Sequence, residues 1–208
     1  MKVNFGGTQL SCSDSKHSSL MIFLRGCDYK CFYCQNKELQ SGKNLVDAEE
    51  IKDQINEHLP LISQIIFSGG EPLVQPEAIE AIARYAHFFG LKVGIETSGA
   101  YSSALLRLIE KGLIDEVFLD IKTFGEDEYY KLTGKLSAWL RIKECVCYCK
   151  AFNIPLEART TIFKEDGSGE NRPYPGKKQL EEIEQFVKER NLNWKKQEGI
   201  LEKYEVGF

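Results

Sequence analysis

The feature that most constrains the fold is an alternation of short apolar runs with stretches of helical periodicity. The runs are typical of buried strands, and the stretches between them carry apolar residues three or four apart, as helices do. Strands are predicted at Ser19–Leu24, Gln64–Phe67, Lys92–Glu96, Glu116–Ile121, Pro155–Phe163 and Asn193–Gln197. Helices are predicted after Asp47, after Pro76, and over Ser103–Lys111, Glu126–Leu132, Ser137–Phe152 and Lys177–Arg190. About six β/α units predict an α/β fold with a parallel sheet, either open or partly closed into a barrel.

Composition narrows the class of protein. A chain of 208 residues with 42% hydrophobic composition predicts a single domain over residues 1–208. A net charge of −4 gives no reason to expect a nucleic-acid-binding surface, although a local patch for tRNA stays open. We see no signal peptide and no run of transmembrane length, so we expect a cytoplasmic protein without membrane contact. In that reducing compartment, seven cysteines indicate metal or redox chemistry rather than disulfides.

Three of these cysteines stand close together in GCDYKCFYCQN, residues 26–36. Cys27, Cys31 and Cys34 have the spacing C-x3-C-x2-C directly after the first predicted strand. Three unrelated buried thiols would be unusual at this density. Structural zinc takes four ligands, and no fourth Cys or His is near, since His17 lies ten residues before Cys27. An iron–sulfur cluster prefers thiolates, and three of them leave one iron open.

Two further loops follow predicted strands. SGGEP, residues 68–72, ends the second strand, and ETSG, residues 96–99, ends the third. In parallel sheets, ligands bind at the C-terminal ends of the strands. We therefore expect the cysteine loop and these two loops to converge on one face.

The cysteine loop and GGEP, in this order and each at a strand end, resemble the two signatures of the radical S-adenosylmethionine (SAM) superfamily. The resemblance covers roughly residues 19–161 as a core and leaves 164–208 as a variable C-terminal part. It implies a partial (β/α)6 barrel whose parallel sheet curves around the active site. It also implies a 4Fe-4S cluster held by Cys27, Cys31 and Cys34, with SAM chelated at the open iron. Reductive cleavage of SAM then gives methionine and a 5′-deoxyadenosyl radical.

The resemblance also implies which residues contact SAM. Tyr33 would lie against the adenine, and Gly69 and Gly70 would let the backbone approach the cofactor closely. Glu71 would accept a hydrogen bond from the SAM ammonium. No catalytic residue is implied beyond the cluster and SAM.

The third loop matches the family by position. In relatives, an acidic residue and a hydroxyl or amide at this point contact the SAM ribose or a nearby cation, which here implies Glu96, Thr97 and Ser98. The alternative is that Thr97 and Ser98 simply begin the next helix.

Charged side chains follow on the next two strands. Asp120 and Lys122 in LDIK fall on one face of their strand because strand side chains alternate. In the activating enzymes of glycyl-radical proteins, a similar D-x-K lies near the SAM carboxylate and the substrate. Arg159 is a second candidate for SAM, since arginine suits carboxylate pairing. The alternative for all three is a structural ion-pair network.

The substrate class is read from the rest of the chain. CQN at 34–36 and LDIKTFGEDEYYKLTG at 119–134 are similar to the activating enzymes of pyruvate formate-lyase and of anaerobic ribonucleotide reductase. The resemblance implies an activase that takes an α-hydrogen from a glycine of a glycyl-radical protein partner, with electrons from a flavodoxin- or ferredoxin-like donor. The alternative is a small-molecule enzyme like 7-carboxy-7-deazaguanine synthase, to which GGEPLVQ and IETSG are similar, although the usual C-D-T or C-N-T is absent.

The remaining cysteines leave a third class open, a peptide or cofactor maturase with additional clusters. On a helix, Cys145 and Cys149 share a face and Cys147 does not, which favours buried small side chains over a second cluster. Cys12 precedes the first predicted strand and could approach the site as a ligand or radical relay. The polar stretch 164–176 predicts a loop where activases continue differently, which bears on the substrate.

Overall fold

The computed structural model describes residues 1–12, 18–31, 33–162 and 175–199. Its strands are β1 (Lys2–Ser11), β2 (Ser19–Leu24), β3 (Leu45–Asp47), β4 (Gln64–Gly69), β5 (Lys92–Thr97), β6 (Glu116–Asp120), β7 (Leu156–Ile162) and β8 (Asn193–Glu198). Its α-helices are α1 (Lys37–Gln40), α2 (Ala48–His58), α3 (Pro76–Phe88), α4 (Ser102–Glu110), α5 (Glu126–Thr133), α6 (Ala138–Ala151) and α7 (Lys177–Glu189). A 3-10 helix covers Pro72–Val74.

All eight strands form one sheet in the order β3-β1-β2-β4-β5-β6-β7-β8. The six strands from β2 to β8 in this order pair in parallel, and each corresponds to a predicted strand. This confirms the α/β class with a mostly parallel sheet. The end strands β3 and β8 lie at opposite edges, so the curved sheet is a partial barrel.

The central strands are buried on both faces, as their apolar runs predict. In β4 the side chains of Ile65 and Phe67 have no exposed surface, and Ile66 is 3% exposed. Strands covered on both faces read as continuous apolar runs, because helices pack on one side and the barrel interior fills the other. On the helix-covered side of the sheet, α3 contributes its predicted apolar stripe. The buried residues of this stripe are Ile79, Ile82, Ala83 and Ala86.

Local sequence signals fix where the helices begin and end. The capping box predicted at the start of α2 is present: the Asp47 side chain caps the N3 backbone, and Glu50 accepts from the Asp47 amide at 3.1 Å. Pro76 lies in the first turn of α3. Gly134 ends α5 with a φ of 71°, a left-handed conformation that suits glycine.

Two strands were not predicted. β1 carries Gly6 and Gly7 in its middle and pairs antiparallel with β2, with a shift of register between Phe5 and Gly7. β3 has three residues and pairs antiparallel with β1. Both lack a long apolar run, and their pairing depends on a neighbouring strand that sequence periodicity cannot identify. They extend the sheet beyond β2 and hold the start of the cysteine loop.

Some predictions fall on residues that are not described. The described residues end at Ile162 and resume at Pro175, so most of the predicted loop 164–176 lies outside them. His17 also lies outside them. No helix in the described part of the chain combines the length and apolar character needed to cross a membrane.

Candidate functional site

A pocket of about 230 Å³ opens at the C-terminal ends of the parallel strands. Its wall is formed by the cysteine loop after β2, by Ser68, Gly69 and Gly70 at the end of β4, and by the ETSG residues 96–98. The ends of β6 and β7 complete the wall. The predicted convergence of the three loops on one face is therefore confirmed.

All three predicted ligands line this pocket. Cys31 is buried, and Cys27 and Cys34 are partly exposed. The loop is held by main-chain bonds, from the Cys27 amide to the Gln40 oxygen at 3.1 Å and from the Cys34 amide to the Cys31 oxygen at 3.2 Å. The thiols thus share a wall because the loop curves around the pocket.

The surroundings in the pocket shift the pKa of two of these thiols. Burial raises the pKa of the Cys27 thiol to about 11, and a hydrogen bond from the Tyr29 amide acts against the rise. Burial also raises the pKa of Cys31, and the nearby Lys122 ammonium opposes it. A cation and an amide donor therefore face the sulfur atoms and favour their thiolate forms.

The glycines of GGEP are required by contacts within the chain. A Cβ at Gly69, whose φ is 122°, would overlap the Leu24 backbone, and one at Gly70 would overlap the Gly26 carbonyl oxygen. The Glu71 amide donates to the Gly26 oxygen at 2.8 Å. The GGEP loop is thus packed backbone to backbone on the start of the cysteine loop, and its predicted approach to SAM stays a prediction.

Glu71 has a different environment from the one we expected. Its side chain has no exposed surface, and it does not line the pocket. One oxygen accepts from the Leu73 amide at 3.2 Å and the Thr97 hydroxyl at 2.8 Å, and the other from the Ser98 amide and hydroxyl. A carboxylate has about four acceptor positions, and here all are occupied. Glu71 therefore ties the GGEP loop to the ETSG loop, and its predicted contact with the SAM ammonium stays a prediction.

The bonds to Glu71 also fix two other predicted SAM residues. The Thr97 and Ser98 hydroxyls both donate to Glu71, although both residues reach the pocket wall. Burial raises the pKa of the Glu71 carboxyl, and these hydrogen bonds act against the rise. Their predicted contact with the ribose stays a prediction, and in this structure the hydroxyls orient the loop.

Glu96 and Arg159 form an ion pair on the pocket wall. Arg159 Nη1 lies 2.6 Å from Glu96 Oε1, and its Nε lies 2.7 Å from Glu157 Oε1. The guanidinium also stacks on the Phe118 ring at 4.0 Å, and Ser68 donates to Glu96 at 2.6 Å. The ion-pair alternative for Arg159 is thus realised, while its predicted role as a SAM contact stays a prediction.

Asp120 and Lys122 meet as the strand alternation predicts. Lys122 Nζ lies 3.2 Å from Asp120 Oδ2, and both residues line the pocket. The Lys122 amide donates to the Tyr129 hydroxyl at 2.9 Å, which anchors the segment on α5. The Lys122 side chain is 17% exposed. It places one positive charge among the thiols, and Tyr33 completes this part of the wall.

Several pocket residues were missed by sequence reasoning, which used CQN only as a family clue. They are Tyr29, Gln35, Asn36, Gln40, Ser68, Thr161 and Gln197. Gln35 and Asn36 follow the last cysteine, and Ser68 precedes GGEP, so adjacency to a motif was the available signal. No sequence pattern singles out Gln197, which reaches the pocket from the edge strand β8.

The other cysteines lie away from the pocket. Cys145 and Cys149 on α6 are 0% and 1% exposed, and Cys147 is exposed. This confirms that Cys145 and Cys149 share a buried face. Cys12 is exposed and is not part of the pocket wall.

Comparisons with known proteins agree with this site. The family model described as the Radical SAM superfamily matches residues 21–170. A provisionally named glycyl-radical enzyme activating enzyme of Methanocaldococcus jannaschii is 36% identical over 152 residues, 71% of this chain and 62% of that protein. The pyruvate formate-lyase-activating enzyme of Clostridium pasteurianum is 34% identical over 122 residues, 55% of this chain and 50% of that enzyme. The matches thus span about half to two thirds of these relatives.

The fold has counterparts among solved structures. SuiB of Streptococcus suis bound to S-adenosylmethionine superimposes with a TM-score of 0.62 at 16% identity, over 86% of this chain and 40% of that chain. At this identity the likeness concerns the fold, a partial barrel of parallel strands. The family match covers well over half of the chain and contains all three pocket cysteines. The chain therefore belongs to the radical SAM superfamily and is an enzyme.

Proposed function

We propose that the protein is a glycyl-radical activase, which removes an α-hydrogen from one glycine of a partner enzyme. The observation that carries the radical chemistry is the meeting of the cysteine, GGEP and ETSG loops at one pocket. The activase class is supported by the similarity to the two activating enzymes described above. When bound, a 4Fe-4S cluster and SAM supply a 5′-deoxyadenosyl radical as the hydrogen acceptor.

The residues present fit these groups. No three Cys, His, Asp or Glu side chains in the described ranges surround a single point as one metal ion requires, but three thiols line one wall. A single zinc ion needs its ligands around one centre, whereas a cluster is held by thiolates on separate irons. Cys27, Cys31 and Cys34 would hold the cluster, and the chemistry of this donor set suits iron–sulfur better than zinc.

The charged wall suits a zwitterionic cofactor. Asp120 and Lys122 are paired with each other at the pocket, where the carboxylate of SAM can bind Lys122 and its ammonium can bind Asp120. Glu96 is partly exposed beside Ser68 on the pocket wall, where it can accept from a ribose hydroxyl. Tyr33 contributes an aromatic ring to the same wall, which suits an adenine.

Other residues of the site position the loops and Lys122 and exclude water. Glu71 fixes the two SAM-facing loops to each other, and Tyr129 fixes Lys122. A flexible glycine loop of the partner would enter from the open end of the sheet, where Thr161 and Gln197 lie. A flavodoxin- or ferredoxin-like protein would supply the electron, and such a site works under reducing conditions, as in the cytoplasm.

The test measures the transfer of deuterium from a peptide glycine to 5′-deoxyadenosine. The protein is reconstituted anaerobically with iron and sulfide, reduced, and mixed with SAM and a synthetic peptide whose glycine carries deuterium at Cα. We expect deuterium in the methyl group of 5′-deoxyadenosine, measured by mass spectrometry. The control is the same peptide with deuterium on a neighbouring alanine, which should give unlabelled product.

The alternative substrate class is tested in parallel. A deuterated pterin-like ring replaces the peptide under the same conditions. Transfer from the ring and none from the peptide would contradict the activase proposal and favour a small-molecule enzyme.

A further inference from the structure

A buried hydroxyl without a partner lies beside the predicted cluster ligands. The Tyr29 side chain is 2% exposed, and its Oη atom is buried without a hydrogen bond, alone in this among the side chains of the described residues. Burying a hydroxyl without a partner is unfavourable, so such groups are rare in native structures. Tyr29 therefore calls for a partner that is not part of the chain.

The main chain around Tyr29 is already bonded. Its carbonyl oxygen accepts from Gln40 Nε2 at 3.4 Å. The residue stands two positions from Cys27 and two from Cys31, on the same pocket wall. The bond from Gln40 holds the main chain of Tyr29 and does not involve its hydroxyl.

The charged side chains near the phenol cannot accept a hydrogen bond from its hydroxyl. They are Glu71, Lys122 and Arg141, with the Cys31 thiol also near. Glu71 has all four acceptor positions occupied, and lysine and arginine are donors only. A tyrosine hydroxyl carries its proton at neutral pH, so it is available as a donor. Tyr29 lines the pocket beside Cys27 and Cys31, and a group bound there can supply the acceptor.

We propose that the Tyr29 hydroxyl donates a hydrogen bond to a sulfur atom of the cluster held by Cys27, Cys31 and Cys34. This rests on the proposed function, because it needs the cluster. A sulfur is favoured over SAM because Tyr29 stands between two of the ligands, two positions from each, and lines the same pocket wall. Hydrogen bonds to cluster sulfurs stabilise the reduced form and raise its reduction potential. Tyr29 is then a positioning residue that makes the cluster easier to reduce.

The variant Tyr29→Phe removes only the hydroxyl. We expect unchanged iron and sulfide content and a more negative midpoint potential, measured without SAM by redox titration followed by EPR. Because the hydroxyl has no partner in the protein alone, the stability of the cluster-free protein should be unchanged or higher. The matched control is Tyr85→Phe, whose hydroxyl bonds Asn56 away from the pocket, and its potential should equal that of the wild type.

The contrary results are distinct. An unchanged potential in Tyr29→Phe overturns the proposal, and if SAM then binds more weakly the acceptor is SAM. Should the variant fail to hold a cluster, 3-fluorotyrosine at position 29 makes a stronger donor, so the potential should rise, and an unchanged value overturns the proposal. If the wild type takes up no cluster, the proposed function itself fails.

Discussion

Two groups of three cysteines in this chain lie in different structural environments. Cys27, Cys31 and Cys34 lie on a loop after β2, and all three line one pocket. The second group, Cys145, Cys147 and Cys149, lies on helix α6 and is divided between the core and the surface. Both groups are dense in sequence, so density alone does not make a binding site.

The difference lies in the backbone that carries the thiols. On α6 the helical period turns Cys147 away from the face shared by Cys145 and Cys149. The loop instead curves around the strand ends, with the Gly26 amide bonded to the Leu39 oxygen at 2.8 Å and the Cys27 amide to Gln40. The curved loop therefore brings three thiols to one pocket, and the helix does not.

The largest effect should come from removing a loop thiol. We expect Cys34→Ala to lose the cluster and to lower 5′-deoxyadenosine formation by more than about 100-fold, since even residues that only orient metal ligands cost about 10–100-fold when removed. Iron content and product are measured after identical anaerobic reconstitution.

The matched control for this change is Cys147→Ala, the same substitution on the exposed face of α6. It should keep iron content and rate. Equal activity in Cys34→Ala and wild type would contradict the assignment of the loop as the cluster site.

The next effect should come from the support of the loop. Glu71→Ala leaves two buried amides and two hydroxyls without their acceptor, so we expect a loss of about 2–4 kcal/mol in the free energy of unfolding. Urea denaturation of the cluster-free protein measures it, and iron retention should fall as well because the two loops separate.

The matched control is Glu77→Ala in the first turn of α3, where the side chain is exposed. It should change stability by no more than about 0.5 kcal/mol. A stable Glu71→Ala protein with weakened SAM binding would instead support the predicted contact of Glu71 with the SAM ammonium.

The contrast between Cys31 and Glu71 also shows what sequence could predict. The cysteines and the strand ends that carry them follow from spacing and alternation, so the six strands and the pocket were predictable. Whether Glu71 faces the pocket or the neighbouring loop depends on the packing of GGEP against Gly26 and Ser98, which are distant in sequence. Tyr29 stands at an unspecified position of the cysteine motif, and its importance appears only when the partners of its hydroxyl are counted.

The smallest effects should come from the helix thiols. Cys145→Ser places a hydroxyl at a fully buried position whose sulfur lies 3.9 Å from the Gly99 oxygen. Because the shorter C–O bond moves the hydroxyl further from that oxygen, we expect a loss of about 1–2 kcal/mol in the free energy of unfolding and no change in iron content. Cys147→Ser on the exposed face should change neither by a measurable amount, within about 0.5 kcal/mol. A clear loss of iron in either variant would show that α6 also carries a cluster, and the distinction between loop and helix thiols would then fail.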